Sequence, residues 1–191
     1  YAAHEGIELS GATIGVVGHG RIGSRVARMC AAMDMRVIVC DPYVEVVEHE
    51  QVDLDTILTE SRVITIHTPL TDETRNLLDA AAFARMQDGV IIVNAARGGV
   101  IDTQALVDAL DSGKVYAAGL DVTAPEPLDP EHTLLNRDNV VVTPHIASAT
   151  DKGRVRMYSG AIENARQVLA GERPVDCVNP HVYEVLEGRS S

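Results

Sequence analysis

The segment Gly18-His19-Gly20-Arg21-Ile22-Gly23 lies between an apolar run, Thr13 to Val17, and a run with helical spacing. That placement constrains the fold more than any other feature of the chain. Gly18 permits a tight turn from strand to helix. Gly20 leaves out a side chain where the backbone must approach a ligand, and Gly23 lets the helix pack closely on the strand. The helix that follows offers unpaired N–H groups and the positive end of its dipole, which suit a phosphate. Asp41 closes a second apolar run, Arg36 to Cys40, 18 residues after Gly23. Strand, glycine turn, helix, strand and acid in this order form a dinucleotide-binding fingerprint. A carboxylate at that strand end accepts bonds from the adenosine ribose hydroxyls and repels a 2′-phosphate, so NAD is favoured over NADP. By itself, Asp41 also reads as a turn residue before Pro42.

The alternation continues beyond this unit. Short apolar strands are expected at Ile14–Val17, Val37–Cys40, Val63–His67, Val90–Asn94, Ala117–Leu120 and Val140–Thr143. Helices are expected at Ile22–Asp34, Leu54–Glu60, Ala80–Met86 and Gln104–Leu110. In the first, Ile22, Val26, Met29 and Met33 recur at helical intervals, with Arg25 and Arg28 on another face. Asp102 suits the N-cap of the fourth and Gly113 its stop. Near-continuous Val/Ile strands separated by helices indicate a parallel sheet covered on both faces, the doubly wound α/β class. Two segments depart from the alternation: a proline-stiffened loop, Thr123–Pro130, and one long helix, roughly Ala149 to Ala170, stopped by Gly171 and Pro174.

Composition removes several function classes. A net charge of −12 disfavours nucleic acid and anionic lipid surfaces as partners. No apolar stretch is long enough to span a membrane and no signal peptide is recognisable, so a cytoplasmic protein is expected. Cys30, Cys40 and Cys177 have no metal-ligand spacing, and no metal is expected; Cys30 and Cys40 read as small buried hydrophobes in a reducing compartment. With aromatics at 3% and no Trp, the core falls to Val, Ile, Leu, Ala and Met.

Ligands on such sheets bind beyond the carboxyl ends of the strands. That edge carries Asn94-Ala95-Ala96-Arg97-Gly98-Gly99, Asp121 followed by Glu126 in the proline-rich loop, and Thr143-Pro144-His145. A cation, an acid and an imidazole thus share the edge of the dinucleotide site. Hydride transfer to or from an alcohol/ketone couple needs a proton donor and acceptor as well, and His145 suits that role near neutrality. Glu126 could orient the ring, and Arg97 could grip an α-keto acid carboxylate as a fork. Singly, each also reads as ordinary: a structural turn histidine, a solvated glutamate, a surface arginine. His67 ends a strand near the cofactor edge and is a candidate lining residue; His4, His49, His132 and His181 read as surface residues.

Taken in order, Glu8-Leu9-Ser10-Gly11-Ala12-Thr13-Ile14-Gly15, the glycine fingerprint, His67-Thr68-Pro69-Leu70-Thr71, Asn94-Ala95-Ala96-Arg97-Gly98, Gly119-Leu120-Asp121-Val122, Glu126-Pro127 and Thr143-Pro144-His145-Ile146 resemble the D-isomer-specific 2-hydroxyacid dehydrogenases. The resemblance runs from about Gly6 to Asn179. It implies Arg97 as the group that binds the substrate carboxylate and carbonyl, Glu126 as partner of the catalytic histidine, and His145 as the acid/base. It further implies that NAD meets Arg21 and Ile22 at the pyrophosphate and Asp41 at the ribose. Thr68, Pro69 and Thr74 would line its path, while Ala95, Ala96, Arg97, Asp121 and His145 would lie near the nicotinamide, with Asp121 holding the carboxamide. His19 stands where the family commonly has an apolar residue, and Thr123 where an aromatic is usual.

The family carries a substrate domain of roughly one hundred residues before this region. The division expected here is a remnant of an interdomain helix at 1–6, the NAD-binding domain at 7–148, a long crossover helix at 149–174, and at 175–191 a C-terminal segment of the substrate domain. The expectation is a chain that folds, binds NAD, pairs as a homodimer and is poorly active alone. It would belong to an oxidoreductase for a small 2-hydroxy or 2-keto acid of phosphoglycerate, glycerate/hydroxypyruvate or glyoxylate type. An NAD(H)-sensing module without turnover, like the corepressor branch of the fold, is the alternative.

Overall fold

The computed structural model describes residues 6–187, so His4, most of the 1–6 remnant and the last residues of the tail lie outside it. Seven strands follow in chain order: β1 (Thr13–Val17), β2 (Arg36–Cys40), β3 (Glu50–Gln51), β4 (Val63–Ile66), β5 (Val90–Asn94), β6 (Val115–Leu120) and β7 (Val140–Val142). They form one parallel sheet in the order β3-β2-β1-β4-β5-β6-β7. The chain therefore winds outward twice from the centre, with the reversal between β1 and β4. This is the Rossmann-like α/β architecture, and the reversal opens a crevice at the carboxyl ends of those two strands.

Register makes those ends a single edge. Val17 pairs with Cys40 on one side and Ile66 on the other; Ile66 pairs with Asn94, Asn94 with Leu120, and Leu120 with Val142. The next residues, Gly18, Asp41, His67, Ala95, Asp121 and Thr143, all emerge on that edge.

Helices α1 (Gly23–Ala31), α2 (Leu54–Glu60), α3 (Ala80–Arg85) and α4 (Thr103–Asp111) cover the sheet. Asp53, Asp79 and Asp102 cap α2, α3 and α4 by accepting the N–H groups of Thr56, Ala82 and Ala105. Gly113, at φ +76°, ends the turn after α4. Two core clusters result. The larger unites Ile38, Ile64, Ile66 and Ile92 with Ile57, Phe83 and Leu106; the smaller packs Ile14, Val16, Val37 and Val39 against Ala27 and Cys30.

α1 corrects one expectation. It buries Gly23, Ala27 and Cys30, while Ile22, Met29 and Met33 are exposed. Close approach of helix to sheet selects small residues, and size outweighs hydropathy on this face. The helix is also shorter than the expected Ile22–Asp34, because the chain turns out through Asp34 at φ +59°. His49 and His132 are half-buried rather than surface residues; the His132 ring accepts the Leu134 N–H.

Backbone contacts divide the chain into a unit ending at Ile146 and another beginning at Ala147. The second contains α5 (Asp151–Leu169), capped by the Thr150 hydroxyl accepting from the Gly153 N–H, and α6 (His181–Glu187). No helix among the described residues is long and apolar enough to cross a membrane.

Candidate functional site

The glycine turn follows from steric necessity. Gly18 sits at φ +93°, where a side chain strains the backbone, and a Cβ there would lie 2.8 Å from the His67 carbonyl. Gly23 is closed in differently: its Cβ would collide with the Gly18 carbonyl oxygen and stand 3.3 Å from His67 Cβ. A Cβ at Gly20 would meet no atom within 4 Å, so the space beside that backbone is open to a ligand. α1 begins at once, with no side-chain cap on its N-terminus and no acid in its first turn. A nine-residue helix thus turns the positive end of its dipole toward that open space, as an anion requires.

Asp41, past β2, is fixed by three backbone donors. Its Oδ2 accepts from His19 N at 2.7 Å, and its Oδ1 from Tyr43 N at 2.9 Å and Val44 N at 3.1 Å. A carboxylate has about four acceptor positions, so capacity remains for a sugar hydroxyl. Opposite, past β4, Thr68 Oγ1 is buried without a hydrogen-bond partner. Thr74 differs: its hydroxyl donates to the Pro69 carbonyl at 2.7 Å and accepts from Thr71 N, holding the loop together. His67 Nε2 lies 3.0 Å from Thr65 Oγ1, and burial holds the imidazole below its ordinary pKa.

Gly18, Gly20, Asp41, His67, Thr68, Pro69 and Thr74 line one cleft of ≈ 670 Å³, with Leu54 and Leu77 as apolar walls. The open backbone at Gly20, the uncapped helix, the pinned Asp41 and the orphaned Thr68 hydroxyl fit a dinucleotide. Tyr43, Asp72 and Glu73 also line this cleft and were not singled out from sequence; Tyr43 could have been, two residues after Asp41.

A second cavity of ≈ 420 Å³ lies at the ends of β6 and β7, lined by Asp121, Glu126, Thr143 and His145 among others. Here the structure joins residues 19 positions apart: His145 Nδ1 stands 2.6 Å from Glu126 Oε1, with both side chains nearly half exposed. His145 holds φ +53°, uncommon outside glycine and costing about 1 kcal/mol or more. Asp121, buried, imposes that conformation. Its backbone oxygen accepts from His145 N at 2.9 Å, and its Oδ1 accepts from Thr143 Oγ1 at 2.6 Å and Ile146 N at 2.8 Å.

Arg97 stands beyond β5, exposed, with Nη1 donating to the Ala96 carbonyl at 2.6 Å. It makes no hydrogen bond or ion pair to Glu126 or His145; Arg21, Ile22, Ala95, Ala96 and Arg97 line neither cavity. Asn94, 1% exposed, fixes this loop by accepting from Ala96 N and donating to the Arg97 carbonyl, both at 3.0 Å. Its signal in the sequence is a polar residue closing an apolar strand.

Residues 1–147 match the model of the D-isomer specific 2-hydroxyacid dehydrogenase NAD binding domain. The chain is 50% identical over 157 residues to D-3-phosphoglycerate dehydrogenase of Archaeoglobus fulgidus, covering 80% of this chain and 30% of that one. It is 45% identical over 186 residues to glyoxylate reductase of Thermofilum pendens, covering 94% and 55%. A solved structure from Thermus thermophilus, the TT0316 protein, superposes with TM-score 0.87 at 44% identity, over 91% of this chain and 56% of that one. The chain thus spans about half or less of the length of these relatives.

Proposed function

The chain belongs to the D-isomer specific 2-hydroxyacid dehydrogenase family, in its NAD-binding domain, and from that membership we propose that it serves an oxidoreductase interconverting a D-2-hydroxy acid and a 2-keto acid. The substrate would be of phosphoglycerate, glycerate/hydroxypyruvate or glyoxylate type, the activities named for the relatives. The observation that carries this reading is the Glu126–His145 bond on the same sheet edge as the glycine turn and Asp41. An acid–base pair beside a dinucleotide cleft is what reversible alcohol oxidation requires.

Gly18, Gly20 and Gly23, with Arg21 and Ile22 at the start of α1, would hold the pyrophosphate. Asp41 would take the ribose hydroxyls, with Thr68, Pro69 and Thr74 along the path and Ala95, Ala96 and Asp121 at the far end. Bound NAD supplies the hydride acceptor. Glu126 accepts from His145 Nδ1, which leaves Nε2 to face the reacting oxygen. In the oxidative direction Nε2 takes the hydroxyl proton as the alcohol becomes a ketone; in reduction it returns that proton. Arg97 would grip the substrate carboxylate and polarise the carbonyl, since a guanidinium offers paired donors to planar oxygens. Its present bond to Ala96 must then be exchanged for the substrate.

Calorimetric titration of the chain with NAD and with NADP tests the cofactor assignment. Saturable NAD binding that weakens in Asp41→Ala supports it, and absence of NAD binding refutes it. NADH oxidation with glyoxylate, hydroxypyruvate and phosphohydroxypyruvate tests the chemistry, with loss in His145→Gln expected.

A further inference from the structure

The NAD cleft carries three carboxylates, Asp41, Asp72 and Glu73, and no lysine or arginine among the described residues that line it. Two of the three are joined through one residue, by its backbone at one end and its side chain at the other. The Tyr43 N–H donates to Asp41 Oδ1 at 2.9 Å, and the Tyr43 hydroxyl donates to Glu73 Oε2 at 2.5 Å. The tyrosine thus bridges the loop after β2 and the loop after β4 across the cleft, with a carboxylate at each end. Glu73 also pushes the Tyr43 phenol above its ordinary pKa, as a charged acceptor does. Among the described lining residues the one imidazole is that of His67, whose pKa burial lowers.

We propose that Glu73, tethered by Tyr43, is a second determinant of NAD over NADP, independent of Asp41. The inference rests on the assignment of this cleft to NAD. Its physical basis is range. Asp41 acts by contact at the ribose, whereas Glu73 acts through space from the facing loop of the same cleft, screened over a Debye length of ≈ 8 Å at physiological salt. A 2′-phosphate entering the cleft therefore meets a second negative charge once Asp41 is gone, with no lysine or arginine among the described lining residues to pair with it. The unphosphorylated ribose of NAD meets little of this repulsion. Tyr43 is a positioning residue: at 79% exposed it gains little from packing, and its hydroxyl tethers the Glu73 carboxylate that lines the cleft.

The test is the ratio of dissociation constants for NADP and NAD, measured on the full chain by displacement of NADH fluorescence. The variants are Glu73→Gln, Tyr43→Phe, Asp41→Ser and the double variant Asp41→Ser/Glu73→Gln. Glutamine still accepts from the Tyr43 hydroxyl, so only the charge is removed. Glu73→Gln in the Asp41→Ser background is expected to strengthen NADP binding by about 3- to 10-fold and to leave NAD within twofold. Tyr43→Phe in the intact chain should shift the ratio in the same direction by releasing Glu73 to solvent. The gain should shrink at about 1 M salt, where the Debye length falls to ≈ 3 Å, a response that a merely structural role would not give. A chain that binds NAD but whose ratio is unmoved by Glu73→Gln in both backgrounds overturns this inference and leaves the cofactor assignment standing. A chain that binds no NAD overturns both.

Discussion

Alanine at Gly20 and alanine at Gly23 should act in opposite ways, although the two residues lie three apart in one turn. At Gly23 the added Cβ would collide with the Gly18 carbonyl oxygen, a backbone atom fixed by the Gly18 N–H bond to Cys40 O at 2.8 Å. His67 Cβ closes the other side at 3.3 Å. Neither neighbour is the end of a flexible side chain, so the helix must move off the strand. Overpacking of this kind costs about 1–3 kcal/mol, and the backbone contact places Gly23→Ala near the upper end. For a chain of this size that is a fall in Tm of roughly 6–12 °C. At Gly20 an added Cβ would meet no atom within 4 Å, and its φ is not among the positive values. There alanine narrows the unfolded ensemble and should raise stability by about 0.4–1 kcal/mol, or roughly 1–4 °C. The methyl would nevertheless occupy the space through which a pyrophosphate approaches the backbone, weakening NAD at least about tenfold, or 1.4 kcal/mol. Thermal melts by fluorescence, paired with calorimetric titration, read both quantities on the same preparations. Full NAD affinity in Gly20→Ala would refute the role given to that backbone, and an unchanged Tm in Gly23→Ala would refute the packing argument.

Asp102→Ala removes the cap of α4, whose carboxylate accepts from Ala105 N at 3.0 Å, and should cost about 1 kcal/mol, a Tm drop of roughly 2–4 °C, with NAD affinity unchanged by titration. His67 gives a pH dependence: burial lowers its folded pKa, so the unfolded chain takes a proton first as pH falls below about 6.5, and stability present above that value declines. Melting from pH 7.5 to 5.5 should show a shallower decline in His67→Gln than in the parent chain. His145→Gln should reduce turnover of a 2-keto acid with NADH by about 10²- to 10⁴-fold. Because the Glu126–His145 pair is nearly half exposed, the same change should leave Tm within a few degrees, which a melt checks.

What the sequence disclosed divides along physical lines. β1, β2, β4 and β5 are legible because central parallel strands are apolar on both faces and read as unbroken Val/Ile runs. β3 is only Glu50 and Gln51, both exposed, and exists by pairing with Ile38 and Val39, which no local pattern announces. β6 begins at Val115 rather than Ala117 because the exposed Tyr116 interrupts the apolar run that a strand-finding pattern follows. In the site, the glycine turn and Asp41 are local in sequence, and their spacing carries their meaning. Glu126 and His145 are 19 residues apart on different loops, so only the strand-edge rule and family resemblance pointed to their pairing. Tyr43 and Glu73 meet across 30 residues from two crossovers, and nothing in either segment predicts the bond.

The buried polar residues explain how exposed groups acquire fixed positions on that edge. The described chain has four: Ser61, Thr65, Asn94 and Asp121. Three of them hold a residue just beyond a strand end. Thr65 bonds the His67 ring, Asn94 bonds the Ala96 N–H and the Arg97 carbonyl, and Asp121 bonds Thr143 and Ile146 on either side of His145. A bond made by a buried group is expensive to break, since an unsatisfied buried partner costs about 1–3 kcal/mol, whereas an exposed ion pair is worth far less. The groups proposed to meet ligand can therefore remain solvated and exchange partners, as the role proposed for Arg97 requires, while the backbone that carries them stays fixed. Precision at this edge is set in the layer beneath the residues that would do the chemistry.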